Sequence, residues 1–225
     1  MSLAAMFVTD VLEKRYSVRA FRNTPVPQAV LEEIFTLARQ APSNCNIQPC
    51  RVYVVSGARK DQLRDELVGA VLSGKLANPD FEWDIKYQAE HRERQFGSAN
   101  ALYSAMGIDR TDKPRRQSAM LRNWNFFGAP HAAFFTMAKY LKVKGAVDVG
   151  IYAQTLAMLM TERGISSCMQ GALGQYPDPA RRMFGLTDDE GILFGMSFGY
   201  ADEKAPANKT RTDRVSLDTM VRFLS

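Results

Sequence analysis

The sequence contains few of the residues that build the commoner reactive sites. It has two histidines, His91 and His131, and three cysteines without paired spacing. We therefore expect neither a metal site nor a disulfide scaffold. No Gly-x-Gly occurs, which removes the usual dinucleotide-binding fingerprint, and no Gly-x-Ser-x-Gly elbow is present. With two histidines and no such elbow, a serine or cysteine triad has little support, and His131 is expected to be a structural hydrogen-bonding residue.

Long apolar runs are also absent, because nothing approaches the ~20 apolar residues of a membrane span. The N-terminal residues carry no basic region, so no signal peptide is predicted. For the same reason we regard the glycosylation sequon at Asn208-Lys209-Thr210 as coincidental. We expect a reduced, soluble, cytoplasmic protein that does not bind a membrane.

Gly69 to Lys75 resembles a phosphate-binding loop, but two features argue against that function. Leu76 stands where a hydroxyl would hold magnesium, and the segment continues a predicted helix instead of following a strand. Binding of ATP or GTP through this segment is therefore not expected.

Helical and strand-like segments mix along the chain, which favours a central sheet flanked by helices. Apolar residues at intervals of three and four predict the helices, and short β-branched or apolar runs predict the strands. The predicted helices are 8–16, 27–41, 60–72, 147–164, 178–184 and 217–224. The predicted strands are 51–56, 130–138, 165–170 and 192–201.

The region from about 73 to 127 differs from the rest because it is polar and carries aromatic residues among many charges. We interpret it as a helical flap inserted into a single domain of residues 1–225. Its aromatic residues are candidates for lining a substrate, with ordinary packing of the flap and of a subunit surface as the alternative. These candidates are Trp83, Tyr87, Trp124, Phe126 and Phe127.

Two basic segments are candidates for holding an anion. In the first, Arg15, Ser17 and Arg19 alternate, so an extended chain would point all three to one side. The second contributes Lys209 and Arg211. Guanidinium groups suit phosphate because they donate parallel hydrogen bonds and keep their charge. Solvated basic surfaces are the alternative. A net charge of +5 is compatible with nucleic acid, but acidic residues are interspersed with the basic ones and we expect no nucleic-acid partner.

Polar loops and glycines complete the pattern. A loop between a helix and a strand presents amides and hydroxyls that can read the polar edge of a heterocycle, and two glycines directly after a strand let a backbone amide approach a flat ligand. Together, five segments in this order resemble the FMN-dependent nitroreductase family over nearly the whole chain. They are Arg15-Tyr16-Ser17-Val18-Arg19, Pro42-Ser43-Asn44-Cys45-Asn46-Ile47-Gln48-Pro49, Gln170-Gly171-Ala172-Leu173-Gly174, Phe198-Gly199-Tyr200 and Lys209-Thr210-Arg211.

The resemblance implies an α+β fold with a central mixed or antiparallel sheet flanked by helices, assembled as an intertwined homodimer with two FMN sites at the subunit interface. In that family's arrangement Ser43, Asn44 and Asn46 come from the partner subunit, Gly171 offers its N–H to the flavin N5, and Arg19 lies near the flavin N1. The implied FMN-binding residues are Arg15, Tyr16, Ser17, Arg19, Pro42, Ser43, Asn44, Asn46, Gln48, Gln170, Gly171, Ala172, Leu173, Gly174, Lys209 and Arg211.

The implied activity is a ping-pong hydride transfer from NADH or NADPH to an electron-poor small molecule, such as a nitroaromatic or a quinone, with no catalytic acid or base from the protein. A reductive dehalogenase or ring dehydrogenase on the same fold is the first alternative, and a non-enzymatic basic binding protein is the second. One departure from the family is Cys50, where a tryptophan often follows Gln-Pro. We interpret Cys50 as a small buried core residue.

Overall fold

The computed structural model describes residues 6–82 and 85–224. Within these ranges the sheet consists of β1 (Arg51–Ser56), β2 (His131–Ala138), β3 (Ser166–Gln170) and β4 (Glu190–Gly199), in the order β1-β2-β4-β3. All three pairings are antiparallel. The expected α+β fold is confirmed, and of the two sheet types the antiparallel one is found.

The six predicted helices are present, most with shifted ends: the second ends at Ala38 instead of 41 and the last ends at Met220 instead of 224. In chain order the α-helices are α1 (Val8–Lys14), α2 (Gln28–Ala38), α3 (Gly57–Leu72), α4 (Ala89–Ala105), α5 (Lys113–Leu121), α6 (Lys142–Glu162), α7 (Asp178–Phe184) and α8 (Leu217–Met220). Helix α3 includes Gly69, so the segment that resembles a phosphate-binding loop begins inside a helix. Every helix in the described ranges is too short or too polar to cross a bilayer.

The helices cover both faces of the sheet, as the alternating residues of β2 demonstrate. Phe135 packs into a cluster with α2 and α6, whereas Phe134 packs into a second cluster with α3. Successive side chains of a strand point to opposite faces, so α6 and α3 lie on opposite sides of the sheet. Helix α6 is buried along one side and leaves Val147 and Ile151 exposed on the other. The buried residues include Val149, Ala153, Leu156 and Met160.

The inserted region contains α4 and α5 and begins at a buried anchor. Asp80 accepts a hydrogen bond from the Arg181 guanidinium at 2.9 Å and from the Ile192 N–H at 3.0 Å, and Lys139 lies 3.0 Å from the same carboxylate. The Asp80 side chain is almost fully buried, so these partners offset the cost of burying its charge. The anchor fixes the start of the insertion to β4.

His131 opens β2 and is buried. Its Nε2 accepts the Val26 N–H at 2.9 Å, and its Nδ1 lies 2.5 Å from the Ser56 hydroxyl oxygen. The ring is therefore neutral, with its proton on Nδ1 donated to Ser56. Burial, and then the nearby charge of Lys60, lowers the pKa of His131 below its ordinary value. The expected structural role of His131 is confirmed.

This lowered pKa makes stability depend on pH. We expect the free energy of unfolding to fall as the pH drops through the ordinary histidine pKa of 6.5, because there the unfolded chain binds a proton that the folded chain does not bind. Denaturant unfolding between about pH 7.5 and about pH 5.5 measures this dependence. A His131→Gln variant can still accept the Val26 N–H through its side-chain oxygen and should lose this part of the pH dependence. The same pH profile in both proteins would contradict the assignment.

Candidate functional site

The first basic segment runs in an extended conformation beside β3. The Val18 N–H donates to the Ser167 carbonyl at 3.1 Å, and Ser17 and Ser167 form an isolated parallel bridge. Val18 is fully buried, while Arg15, Ser17 and Arg19 stay partly exposed. Tyr16 is exposed to a similar degree, so burial distinguishes Val18 from its neighbours but does not show the strict alternation of Arg15, Ser17 and Arg19 that the sequence predicts.

Asn208 joins the second basic segment to the first. Its side-chain oxygen accepts the Arg19 N–H at 2.7 Å, and its amide donates to the Ala20 and Asp202 carbonyls, both at 2.8 Å. Asn208 is only 4% exposed, so a glycan cannot be attached there in the folded protein. No sequence motif marked this residue as part of the site. Its only signal was its position directly before Lys209.

Arg211 of the second segment lies against the first segment. The Arg211 guanidinium lies over the Tyr16 ring, 3.7 Å from the ring centroid, and donates to the Asn208 carbonyl at 2.9 Å. In the part of the chain that the structure describes, none of Arg15, Arg19, Lys209 and Arg211 pairs with a carboxylate. Uncompensated like charges held together attract an anion.

A hydroxyl without a partner lies in the same segment. Thr210 is buried between Lys209 and Arg211, and its Oγ1 makes no hydrogen bond among the described residues. Buried polar atoms normally find a partner. This orphaned hydroxyl and the unpaired cations are the donors that a phosphate group requires.

Arg15, Ser17 and Arg19 influence the pKa of the buried Cys168 thiol. Burial raises the pKa of this thiol, while the charges of Arg19 and Arg15 and a hydrogen bond with Ser17 act in the opposite direction. Cys50 is partly buried against the core, and burial raises its pKa to about 12. Both thiols are therefore protonated at neutral pH and poor nucleophiles, in line with the interpretation of Cys50 as a packing residue.

The turn Gly171–Gly174 follows β3 and lies directly on β4. A Cβ atom on Gly195 would lie 2.5 Å from Leu173 Cδ1, so only glycine there allows this approach. Leu173 is fully buried, and the Gln170 side chain, also buried, donates to the Asn123 carbonyl and accepts from the Ser197 hydroxyl. The expectation that Gln170 and Leu173 contact a cofactor is corrected for their side chains, because both face the core. Only their backbone atoms remain available.

The loop from Pro42 to Gln48 is mostly exposed and has an unusual backbone. Cys45, Asn46 and Gln48 have φ angles of 50°, 56° and 47°, a left-handed region that residues other than glycine rarely occupy. Two hydrogen bonds hold this conformation: the Asn44 N–H donates to Asp148 Oδ1 at 3.1 Å, and the Gln48 N–H donates to Ser43 Oγ at 2.9 Å. Such strain is concentrated at functional sites.

This loop does not join the basic segments within one chain. Among the described residues, no hydrogen bond connects residues 42–48 with 15–22 or 208–214. The Asp148 carboxylate that holds the loop is buried, and its second oxygen has no partner. No sequence signal identified Asp148 beyond its being the one carboxylate in an apolar stretch of α6.

The aromatic candidates for a substrate surface divide into three groups. Trp83 lies outside the described residues, and Tyr87 is exposed. Phe126 is fully buried against Phe134, and Trp124 and Phe127 are also buried. We therefore correct the expectation for Trp124, Phe126 and Phe127, because their large rings fill the core.

Trp124 has a positioning role instead. Its indole N–H donates to the Ala172 carbonyl at 3.1 Å and fixes the turn Gly171–Gly174. Close by in sequence, the Arg122 guanidinium donates to the Arg19 carbonyl at 2.8 Å. The end of α5 is therefore tied both to the glycine turn and to the first basic segment.

Comparisons with known proteins match nearly the whole chain. The pattern of the nitroreductase family matches residues 12–200. A 4-nitrobenzoate reductase from Pseudomonas putida is 34% identical over 214 residues, which are 95% of this chain and 94% of that protein. The FMN-dependent nitroreductase NfnB from Mycobacterium smegmatis, solved in complex with NADPH, has a TM-score of 0.92 and 39% identity, covering 97% of this chain and 98% of that one. The FMN and NADPH-dependent nitroreductase NfnB from Sphigopyxis sp. strain HMH has a TM-score of 0.94 and 32% identity, covering 98% and 100%.

Proposed function

This chain belongs to the nitroreductase family, and from that premise we propose that it is an FMN-dependent oxidoreductase that uses a reduced nicotinamide nucleotide to reduce nitroaromatic or similar electron-poor small molecules. Its relatives act on compounds such as 4-nitrobenzoate and depend on FMN and NADPH. NADPH is accordingly the donor we expect, although NADH shares its reactive end.

The observation that carries the proposal is that two basic segments lie together and their cations have no carboxylate partner among the described residues. Arg15, Arg19, Lys209 and Arg211 have no carboxylate partner in the described ranges, and Asn208 fixes the two segments against each other. A phosphate carries nearly two negative charges at neutral pH, so the donor set fits the phosphate end of FMN. FMN, when bound, supplies hydride chemistry between the nicotinamide nucleotide and the acceptor.

We propose that the chain's own residues bind and orient the cofactor. Arg15, Ser17, Lys209 and Arg211 would hold the phosphate and the ribityl chain, with the Tyr16 ring supporting Arg211. Arg19 would stabilise negative charge on the pyrimidine edge of the ring. The Gly171 and Ala172 amides and Gly174 belong to a turn that Trp124 fixes from below, which gives a rigid surface for a flat ligand.

Proton transfer by the protein is not part of this proposal. His131 is buried and bonded to Val26 and Ser56, and His91 lies on the exposed side of α4. Tyr87, exposed at the edge of the inserted region, is the remaining described candidate for contact with the acceptor. The residues arrange the reactants, and no side chain acts as a general acid or base.

We further propose a homodimer in which Pro42, Ser43, Asn44, Asn46 and Gln48 complete the FMN site of the partner subunit. Among the described residues, this loop makes no hydrogen bond to the basic segments of its own chain, which supports this assignment. So do two exposed apolar surfaces, because extensive exposed apolar area marks interaction sites. One lies on α6 at Val143, Val147 and Ile151, and the other on the C-terminal tail at Leu217, Met220, Phe223 and Leu224.

The remaining aspects of the proposal concern organisation. We propose that residues 1–225 act as one domain in which the insertion at 73–127 shapes access for the acceptor. We also propose a cytoplasmic location, which the three free cysteines support, since free thiols persist in reducing compartments.

The purified protein is expected to be yellow and to release FMN on denaturation. Under anaerobic conditions NADPH should bleach the colour, and 4-nitrobenzoate should restore it. Failure of both NADPH and NADH to bleach an FMN-loaded protein would overturn the proposed reductase. A colourless protein that binds DNA or RNA with strong salt dependence would favour the basic binding protein instead.

A further inference from the structure

Two further arginines without a carboxylate partner among the described residues, Arg110 and Arg116, line a cavity formed by α4, α5 and the chain between them. The cavity has a volume of about 450 Å³. Apolar, aromatic and amide groups line it together with two guanidinium groups; they include Phe96, Asn100, Tyr103, Arg110 and Arg116. In the described part of the chain neither Arg110 nor Arg116 pairs with a carboxylate. The cavity therefore combines a flat apolar wall with unneutralised positive charge.

Arg116 is folded into this cavity in a way that leaves donors free. Its guanidinium lies 5.4 Å from the centroid of the Tyr103 ring, and one of its nitrogens donates to the Arg110 carbonyl at 3.0 Å. Its Nε is buried without a hydrogen-bond partner. An arginine held by a ring and a carbonyl, with a buried donor unused, is placed to receive an anion.

The cavity borders the site that the two basic segments form. Helix α4 packs beside the turn Pro206–Lys209. At the end of α5, Arg122 bonds to the Arg19 carbonyl. Arg116 is six positions before Arg122, about 9 Å along a helix. A long nucleotide has two ends and could occupy both the first site and the cavity.

We propose that this cavity binds the 2′-phosphorylated adenosine end of NADPH, with Arg116 and Arg110 on the phosphate and the rings of Tyr103 and Phe96 beside the adenine. The inference rests on the proposed function for the nicotinamide end. It adds the specificity determinant, because the 2′-phosphate is the only group that distinguishes NADPH from NADH. Two guanidinium groups without a carboxylate suit that phosphate, whereas the free 2′-hydroxyl of NADH offers them no charge.

The test is direct binding to the FMN-loaded protein by calorimetry, with adenosine 2′,5′-bisphosphate and adenosine 5′-monophosphate as probes. We expect the bisphosphate to bind at least about tenfold more tightly, the usual effect of one charged hydrogen-bonding group. Arg116→Gln should remove that preference. In steady-state assays the same variant should raise KM for NADPH about tenfold, a larger increase than it causes in KM for NADH.

Arg94→Gln is the matched control, because Arg94 carries the same charge on the same region but does not line the cavity. It should behave as the wild type in both assays. Equal binding of the two probes by the wild type, or an equal loss in both arginine variants, would overturn the site. These outcomes are independent of the proposed function, since probe binding needs no turnover, and failure of NADPH to bleach FMN would instead reject the reductase.

Discussion

A protein in which Arg15 and Lys209 are both replaced by alanine is expected to be purified without FMN. The two residues come from opposite basic segments that Asn208 holds together. Each charged hydrogen bond to a phosphate contributes about 1.5–3 kcal/mol. Loss of both should weaken FMN binding by roughly a hundredfold or more. Fluorescence titration of FMN into protein stripped of cofactor measures the change.

Lys14→Ala combined with Arg214→Ala is the control for this experiment. These residues flank the same two segments and remove the same net charge, but Arg214 bonds only to its neighbours Thr212 and Asp213. The control should keep wild-type affinity within a few fold, because exposed charges at a distance are screened by salt. If the Arg15 and Lys209 variant binds FMN as the wild type does, or the control loses FMN equally, the phosphate site is misassigned.

Local structure could be predicted where a single pattern determines it. The strand 51–56 and the helix 178–184 have the predicted bounds. Both are marked by local signals: a run of β-branched residues in the strand, and a proline in the first turn of the helix. Helix α6 begins at Lys142, five residues before its predicted start, since its first turn is polar. The strand order, by contrast, could not be predicted from local patterns. Nothing in the sequence of β4 requires it to lie between β2 and β3, because pairing depends on the packing of distant residues.

The candidate site was predictable in its charges and not in its buried contacts. Arg15, Arg19 and Lys209 can be recognised from the sequence alone, because a charged residue type already indicates that an anion is the ligand it can bind. Phe126 and Gln170 cannot, because an aromatic or an amide residue type does not reveal which way its side chain faces. Both turned out to be core residues.

The clamps that hold the site together show the same limit. Asn208 bonds to Arg19 across 189 residues of sequence, and Asp148 bonds to Asn44 across 104. Each is one polar residue in an otherwise unremarkable stretch. Each residue stabilises the site by bonding to backbone groups of a distant segment. Every residue has such backbone groups, so the sequence does not show which of them the fold will place next to Asn208 or Asp148.

Asn208→Asp is expected to lower both stability and FMN affinity, although it changes only one side-chain group. The aspartate oxygen can still accept the Arg19 N–H, but it can no longer donate to the Ala20 and Asp202 carbonyls. Two buried acceptors lose their donor and face a carboxylate. We expect a loss of about 2–6 kcal/mol in the free energy of unfolding, given about 1–3 kcal/mol for each unsatisfied group. Denaturant unfolding without FMN measures it.

The decisive measurement repeats the unfolding with FMN present. A ligand that binds only the folded state stabilises it by an amount that grows with the logarithm of its affinity, so a variant whose basic segments have separated should gain less from FMN than the wild type gains. Asn23→Asp makes the same chemical change at an exposed residue just after the first basic segment and should keep the full gain. If Asn208→Asp unfolds more easily yet gains as much from FMN as the wild type, Asn208 supports the fold alone. The two basic segments would then bind the cofactor without being held in register by this side chain.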